Sequence, residues 1–302
     1  EEKIFSAEEK KVEREKILYQ KLRDYILTFE KELLHNAKII SELDVFCSYA
    51  QLASENNYSR PQITQSPIID IKNGRHPIVE KLVSETFVPN DCQMDTQNDM
   101  ILLITGPNMA GKSTIMRQVA LITILAQMGS YVPAESAVIG IVDQLFTRVG
   151  ASDNLSRGQS TFMVEMIETA HILKNATKQS LILLDEIGRG TSTYDGISIA
   201  WAVAETIHEH IGARTFFATH YHELIELKRL YKKIKNMHIG VREWNGSIVF
   251  LRKFLPGSTN RSYGIQVAKL AGIPEKTISR AKDILKQLEQ QANRDNFLGG
   301  ID

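Results

Sequence analysis

Residues 101–114 read ILLITGPNMAGKST, and the order of residue types within them decides the fold. The apolar run Ile101–Ile104 with Thr105 predicts a buried strand, and the periodic segment from Lys112 to Met128 predicts a helix. Between them, Gly106-Pro107-Asn108-Met109-Ala110-Gly111-Lys112-Ser113 fits the pattern G-x-x-x-x-G-K-[ST], with Thr114 following. In a strand–turn–helix of this kind the glycines let backbone N–H groups curl around phosphate oxygens. The helix N-terminus adds a favourable dipole. Lys112 would reach the β- and γ-phosphates of a nucleotide, and the Ser113 hydroxyl would ligate Mg²⁺.

Such a loop calls for an acidic partner at the end of a neighbouring strand. Leu181-Ile-Leu-Leu-Asp185-Glu186 supplies one, its apolar residues carrying two carboxylates to the sheet edge where ligands bind in α/β folds. Asp185 would hold the metal ion, and Glu186 would orient or deprotonate an attacking water. His220 ends the next strand-like run, TFFATH. It could contact the γ-phosphate through water, pair with His222 on a metal, or simply face solvent. Between the turn and the acidic strand lies Leu155-Ser156-Arg157-Gly158-Gln159, which looks like the signature loop of ABC-type ATPases. It runs into Ser160-Thr161 at the start of a helix, where hydroxyls serve either as N-caps or as phosphate ligands. The loop Gly188–Gly196, GRGTSTYDG, suits a contact between subunits.

From Met100 to Thr219, strand-like and helix-like segments alternate, which predicts a mainly parallel sheet covered by helices on both faces. Two further strands, Lys235–Val241 and Ser247–Leu255, flank Asn245-Gly246, a hairpin signal. A final amphipathic helix is expected over Pro274–Gln291. Ser6 to Glu55 contains neither Pro nor Gly and has apolar residues at three-and-four spacing. One helix of about 50 residues, roughly 70 Å long, is expected there; the alternative is two ordinary helices with an unsignalled break. Asn56–Pro67 marks a boundary.

The totals exclude several classes. Across 302 residues, 36 basic and 36 acidic side chains cancel, so composition carries no nucleic-acid footprint. Two cysteines, Cys47 and Cys92, form no disulfide framework or metal spacing and fit a reducing, cytoplasmic setting. No window reaches the roughly 18–20 apolar residues of a membrane span. The charged opening, Glu1–Lys16, is unlike a signal peptide, and without an initiator Met the chain is expected to be part of something longer.

These motifs together resemble the ATPase region of the MutS family of bacterial DNA mismatch repair proteins. The resemblance rests on TGPNMAGKSTIMRQVALI, LFTRVGASDNLSRGQSTFMVEM, LLDEIGRGTSTYDG and FFATHYHEL, with NGRHPIVE and RSYGIQVAKLAGIP extending it. It implies an α/β P-loop fold of ABC type with a mainly parallel sheet, preceded by a long lever-type helix (1–56). The ATPase domain would span 57–272, and a helical dimerisation segment and tail 273–302. It implies ATP/ADP and Mg²⁺ at Gly106–Thr114, Asp185 and Glu186, with Asn108 and His220 near the γ-phosphate. Ser160 would reach the nucleotide of a partner copy, and Phe87 would stack on adenine with Asn90 nearby. Arg252 falls where relatives often carry a second stacking group. The implied partners are a second copy of the chain, mismatched double-stranded DNA held by portions absent here, and a MutL-type repair protein. The Phe-x-Glu motif of the family's mismatch-reading portion does not occur in this sequence. Competing readings are an ABC-type ATPase or MutS paralogue of another DNA process, and a nucleotide-binding dimerisation module without appreciable turnover.

Overall fold

The structure, a computed structural model, describes residues 2–107, 110–149, 161–244, 247–259 and 263–298. The chain divides into two compact units, Glu1–Asn56 and Asn57–Asp302. The first holds α1 (Glu2–Leu27) and α2 (Glu30–Asn56), so the alternative of two helices replaces the single long one. The break has a local cause. Thr28 and Phe29 donate their amides to Tyr25 and Ile26, three residues back. The Thr28 hydroxyl donates to the same Tyr25 carbonyl at 2.6 Å. A β-branched hydroxyl residue that competes for the carbonyl of the preceding turn weakens the α-helical ladder there. The rings of Tyr25 and Phe29 meet edge to face across the break, 5.2 Å apart.

In the second unit the chain runs through β1 (Gln62–Thr64), β2 (Ile69–Gly74), α3 (Val79–Leu82), β3 (Asn90–Met94), β4 (Ile101–Thr105) and α4 (Lys112–Gln127). It continues with β5 (Ser136–Gly140), β6 (Leu145–Arg148), α5 (Thr161–Asn175), β7 (Leu181–Asp185) and α6 (Thr193–Thr206), then β8 (Arg214–Ala218). A short 3-10 turn, α7 (Leu227–Leu230), β9 (Ile234–Trp244), β10 (Ser247–Pro256), α8 (Gly264–Leu270) and α9 (Glu275–Leu298) complete it.

Six strands form the larger sheet in the order β10-β9-β4-β8-β7-β6. All its neighbours are parallel except β10, which returns antiparallel on β9. Its central strands read as continuous apolar runs because both faces are covered. Successive side chains alternate between two cores. Leu102, Ile104, Leu183, Phe216 and Ala218 face Met116, Val119 and Ile122 of α4. Ile101, Leu103, Ile182, Leu184 and Phe217 face Ile172 of α5 and Ala200, Val203 and Ala204 of α6. Each fully buried aliphatic side chain contributes about 1.5–3 kcal/mol, and this burial fixes the strand ends that carry the site.

A second, four-stranded sheet was not expected from the sequence. Its order is β1-β5-β2-β3, parallel only between β1 and β5, and its residues Ile69, Ile71, Met94 and Ile139 close the far side of α4. Helix α4 is therefore packed between two sheets, which accounts for the complete burial of Met116, Val119 and Ile122.

Candidate functional site

The parallel strands end along one edge, and the loops leaving that edge gather the chemistry. After β4 the chain turns through Gly106 (φ +135°) and Gly111 (φ +111°), conformations that glycine alone adopts without strain. Gly111 caps α4 without a side-chain bond, and a helix N-terminus framed in this way is a setting suited to an anion. Lys112 is buried, and its Nζ donates to the Gly106 carbonyl at 2.7 Å. Burial pushes its pKa down, opposed by the charges of Glu186 and Asp185. Asn108 and Met109 lie outside the described residues.

Ser113, one residue into α4, meets the end of β7. Its Oγ donates to Asp185 Oδ2 at 2.5 Å. The other oxygen, Asp185 Oδ1, is buried without a hydrogen-bond partner. Burial raises the Asp185 pKa, while the Ser113 bond and the Lys112 charge act against it. A hydroxyl beside a carboxylate oxygen that lacks a donor is a hard-oxygen pair suited to Mg²⁺. No cluster of three His, Cys, Asp or Glu that could hold a metal occurs among the described residues. An ion here would therefore take its remaining ligands from water and from phosphate oxygens, the usual arrangement for Mg²⁺ at nucleotide sites.

Glu186 follows in a left-handed conformation (φ +60°), its amide donating to the Ala218 carbonyl of β8 at 2.9 Å. That twist brings its carboxylate to His220 Nε2 on one oxygen and Arg189 Nη1 on the other. Burial would raise this carboxyl, but the hydrogen bond and charge of His220, with Arg189 and Lys112, outweigh it and hold the pKa at about 2. A carboxylate of that acidity accepts protons poorly and orients hydrogen-bond donors well. His220 is thus engaged with an acid rather than paired with His222 on a metal.

Two cavities lie against the first turns of α4. One, of about 200 Å³, is lined by Phe87, Asn90, Ala110, Gly111, Thr114 and Arg252 among others. The fold brings Phe87, Asn90 and Arg252 to one wall although 162 residues separate the last two. Asn90 does not offer a free amide there. Its Nδ2 donates to Val88 O (3.0 Å) and Arg252 O (2.9 Å), and its Oδ1 accepts from Phe254 N at 2.7 Å. Asn90 clips β3 to β10 and shapes the wall, while the half-buried Phe87 ring and the exposed Arg252 guanidinium, 3.5 Å from Glu85 Oε2, supply its planar groups.

The second cavity, of about 500 Å³, is lined by Ser113, Asp185 and Glu186, and also by Arg117, Arg148, Glu165 and Arg189. Sequence reading named none of the last four. Arg189 sits within GRGTST, and Arg148 and Glu165 stand near the two ends of LFTRVGASDNLSRGQSTFMVEM, so the signal lay in the motifs that carry the resemblance, without a role attached to these side chains. Ser160 lies outside the described residues, and its neighbour Thr161 opens α5 at the cavity wall.

Residues 102–289 match the family model of MutS domain V. Three relatives, each a DNA mismatch repair protein MutS, are similar over almost the whole chain. The protein of Rhodopirellula baltica is 56% identical over 290 residues, covering 96% of this chain and 32% of that protein. That of Acetivibrio thermocellus is 57% identical, covering 95% and 33%. That of Methanosarcina mazei is 55% identical, covering 96% and 32%. The chain spans about a third of the length of these curated relatives.

Proposed function

This chain belongs to the MutS family, and from that premise we propose that it is the Mg²⁺-dependent ATP-binding and ATP-hydrolysing unit of a DNA mismatch repair protein. The observation that carries the reading is the join between Ser113 and Asp185, with Asp185 Oδ1 left unpartnered beside a glycine-framed helix N-terminus. The turn Gly106–Ser113 would receive the triphosphate, with Asn108 and Lys112 toward the γ-phosphate. Phe87 and Arg252 would hold the adenine between planar groups. Ser113 and Asp185 would hold Mg²⁺, which when bound neutralises charge on the phosphate oxygens. Glu186, kept ionised by His220 and Arg189, would orient the attacking water rather than take its proton. Catalysis of this kind is largely positioning and charge stabilisation.

The match to proteins three times as long supports a whole-protein role in which ATP state governs the handling of mismatched double-stranded DNA by portions absent here. In that role Ser160 would complete the site of a second copy, α9 would contribute to the dimer, and a MutL-type protein would read the outcome. The test is phosphate release measured against chain concentration, with Mg²⁺ and with chelator. A rate per chain that climbs with concentration and vanishes with chelator is expected. Glu186→Ala is expected to bind ATP but lose hydrolysis by roughly 10²-fold. A chain that binds no ATP, or a Glu186→Ala variant that hydrolyses like its parent, overturns the reading.

A further inference from the structure

Glu165 is a charged side chain buried to 5% exposure on the first turns of α5, and none of the chemistry above uses it. Its Oε1 accepts the Gly188 amide at 2.5 Å. Its Oε2 faces Arg148 Nη2, itself buried, at 3.5 Å. The peptide it holds lies two residues beyond Glu186. The Gly188 carbonyl is held from the opposite side by the Tyr221 hydroxyl at 2.8 Å, and Tyr221 adjoins His220. A second contact reinforces the seat on α5: a Cβ on Gly190 would lie 2.8 Å from Phe162 Cβ, so the loop backbone rests directly on the helix. The turn after Glu186 is therefore gripped from two sides, by the end of β8 and by α5.

We propose that Glu165 is a positioning residue for Glu186: by holding the Gly188 amide it makes the direction of the Glu186 carboxylate depend on the seat of α5. Glu186 departs from its strand in a left-handed conformation that no glycine relieves, so the peptide just beyond it must be fixed from outside. The Glu165 bond fixes it. The proposal rests on the reading of Glu186 as the residue that orients water.

Two substitutions separate reach from charge. Glu165→Gln keeps an acceptor at the same reach and gives up the charge opposite Arg148. Glu165→Asp keeps the charge and withdraws it by at most about 1.5 Å, one C–C bond. Positioning through the Gly188 amide predicts that Gln stays near the parent and Asp does not. In Glu165→Asp, single-turnover hydrolysis should fall about tenfold or more, with the affinity for a fluorescent ATP analogue within about threefold of the parent. Hydrogen exchange of the 187–190 amides should rise by a similar factor. A role confined to the Arg148 ion pair predicts the reverse order, Asp near the parent and Gln impaired, and that result overturns the proposal. So does Glu165→Asp with unchanged exchange and hydrolysis while the parent binds and turns over ATP. A parent that binds no ATP overturns the nucleotide reading instead, and the role of Glu165 in hydrolysis with it.

Discussion

Replacing Asn90 with alanine should destabilise the second unit and open the smaller cavity in one step. Asn90 is 2% exposed, and its amide satisfies three backbone groups, the carbonyls of Val88 and Arg252 and the amide of Phe254. Each such bond contributes about 1 kcal/mol net, and a buried donor left alone costs about 1–3 kcal/mol. The Phe254 amide is that donor, since its residue is 7% exposed. The two carbonyls have a second lone pair and a nearby cavity, so they lose less. The total comes to about 3 kcal/mol, to be read as a shift in the urea midpoint at unchanged slope. Because Arg252 is held by the same amide, affinity for an ATP analogue should fall along with stability. If Asn90 touched the base directly and did nothing else, affinity would fall while the midpoint stayed within about 0.5 kcal/mol of the parent. That outcome would refute the clip.

Two further outcomes follow from the loop after Glu186. Gly188→Ala should destabilise the chain by about 3 kcal/mol or more, seen as a lowered melting temperature, because at φ +88° its Cβ would lie 2.5 Å from the Gly196 carbonyl oxygen, and backbone cannot yield. An Ala variant melting like the parent would mean that the Gly188 turn is not seated on α6. Glu186 also sets an acid dependence. Its folded pKa, about 2, is depressed below the unfolded value near 4.3. Its contribution to stability is therefore present above about pH 4.3 and lost as pH falls toward 2. Asp185, raised by burial, works in the opposite sense and partly offsets that loss. Urea midpoints at pH 6 and pH 3 should diverge more in the parent than in Glu186→Gln; equal divergence would remove Glu186 from the acid response.

The central sheet was legible because both of its faces are covered. Continuous apolar runs such as Ile101–Ile104 and Leu181–Leu184 need no knowledge of their neighbours to read as buried parallel strands. The second sheet was not legible for the opposite reason. Its strands are three to six residues long, and β2 is interrupted by Lys72 and Asn73. Ile69 and Ile71 become a core only once α4 lies against them. The first fifty residues misled in a third way. Apolar spacing speaks for helix but not for continuity, and one threonine hydroxyl aimed at the Tyr25 carbonyl divides the run.

The candidate site divides along the same line. Lys112, Ser113 and Asp185 were legible because each sits at a fixed step from a strand or helix terminus, and chain geometry delivers it. Asn90, Arg148 and Glu165 act through partners remote in sequence: Arg252 lies 162 residues from Asn90, and Gly188 lies 23 from Glu165. A buried amide or carboxylate is specified by whichever backbone groups the packing leaves short of a partner, and no local pattern encodes that shortage. Glu186 stands between the two classes. Its place in the sequence follows from the strand that delivers it, but its direction is set by Ala218, His220 and Arg189, and by the Gly188 peptide that Glu165 holds. The residue type at such a position can be read from sequence; its orientation depends on the groups that converge on the turn.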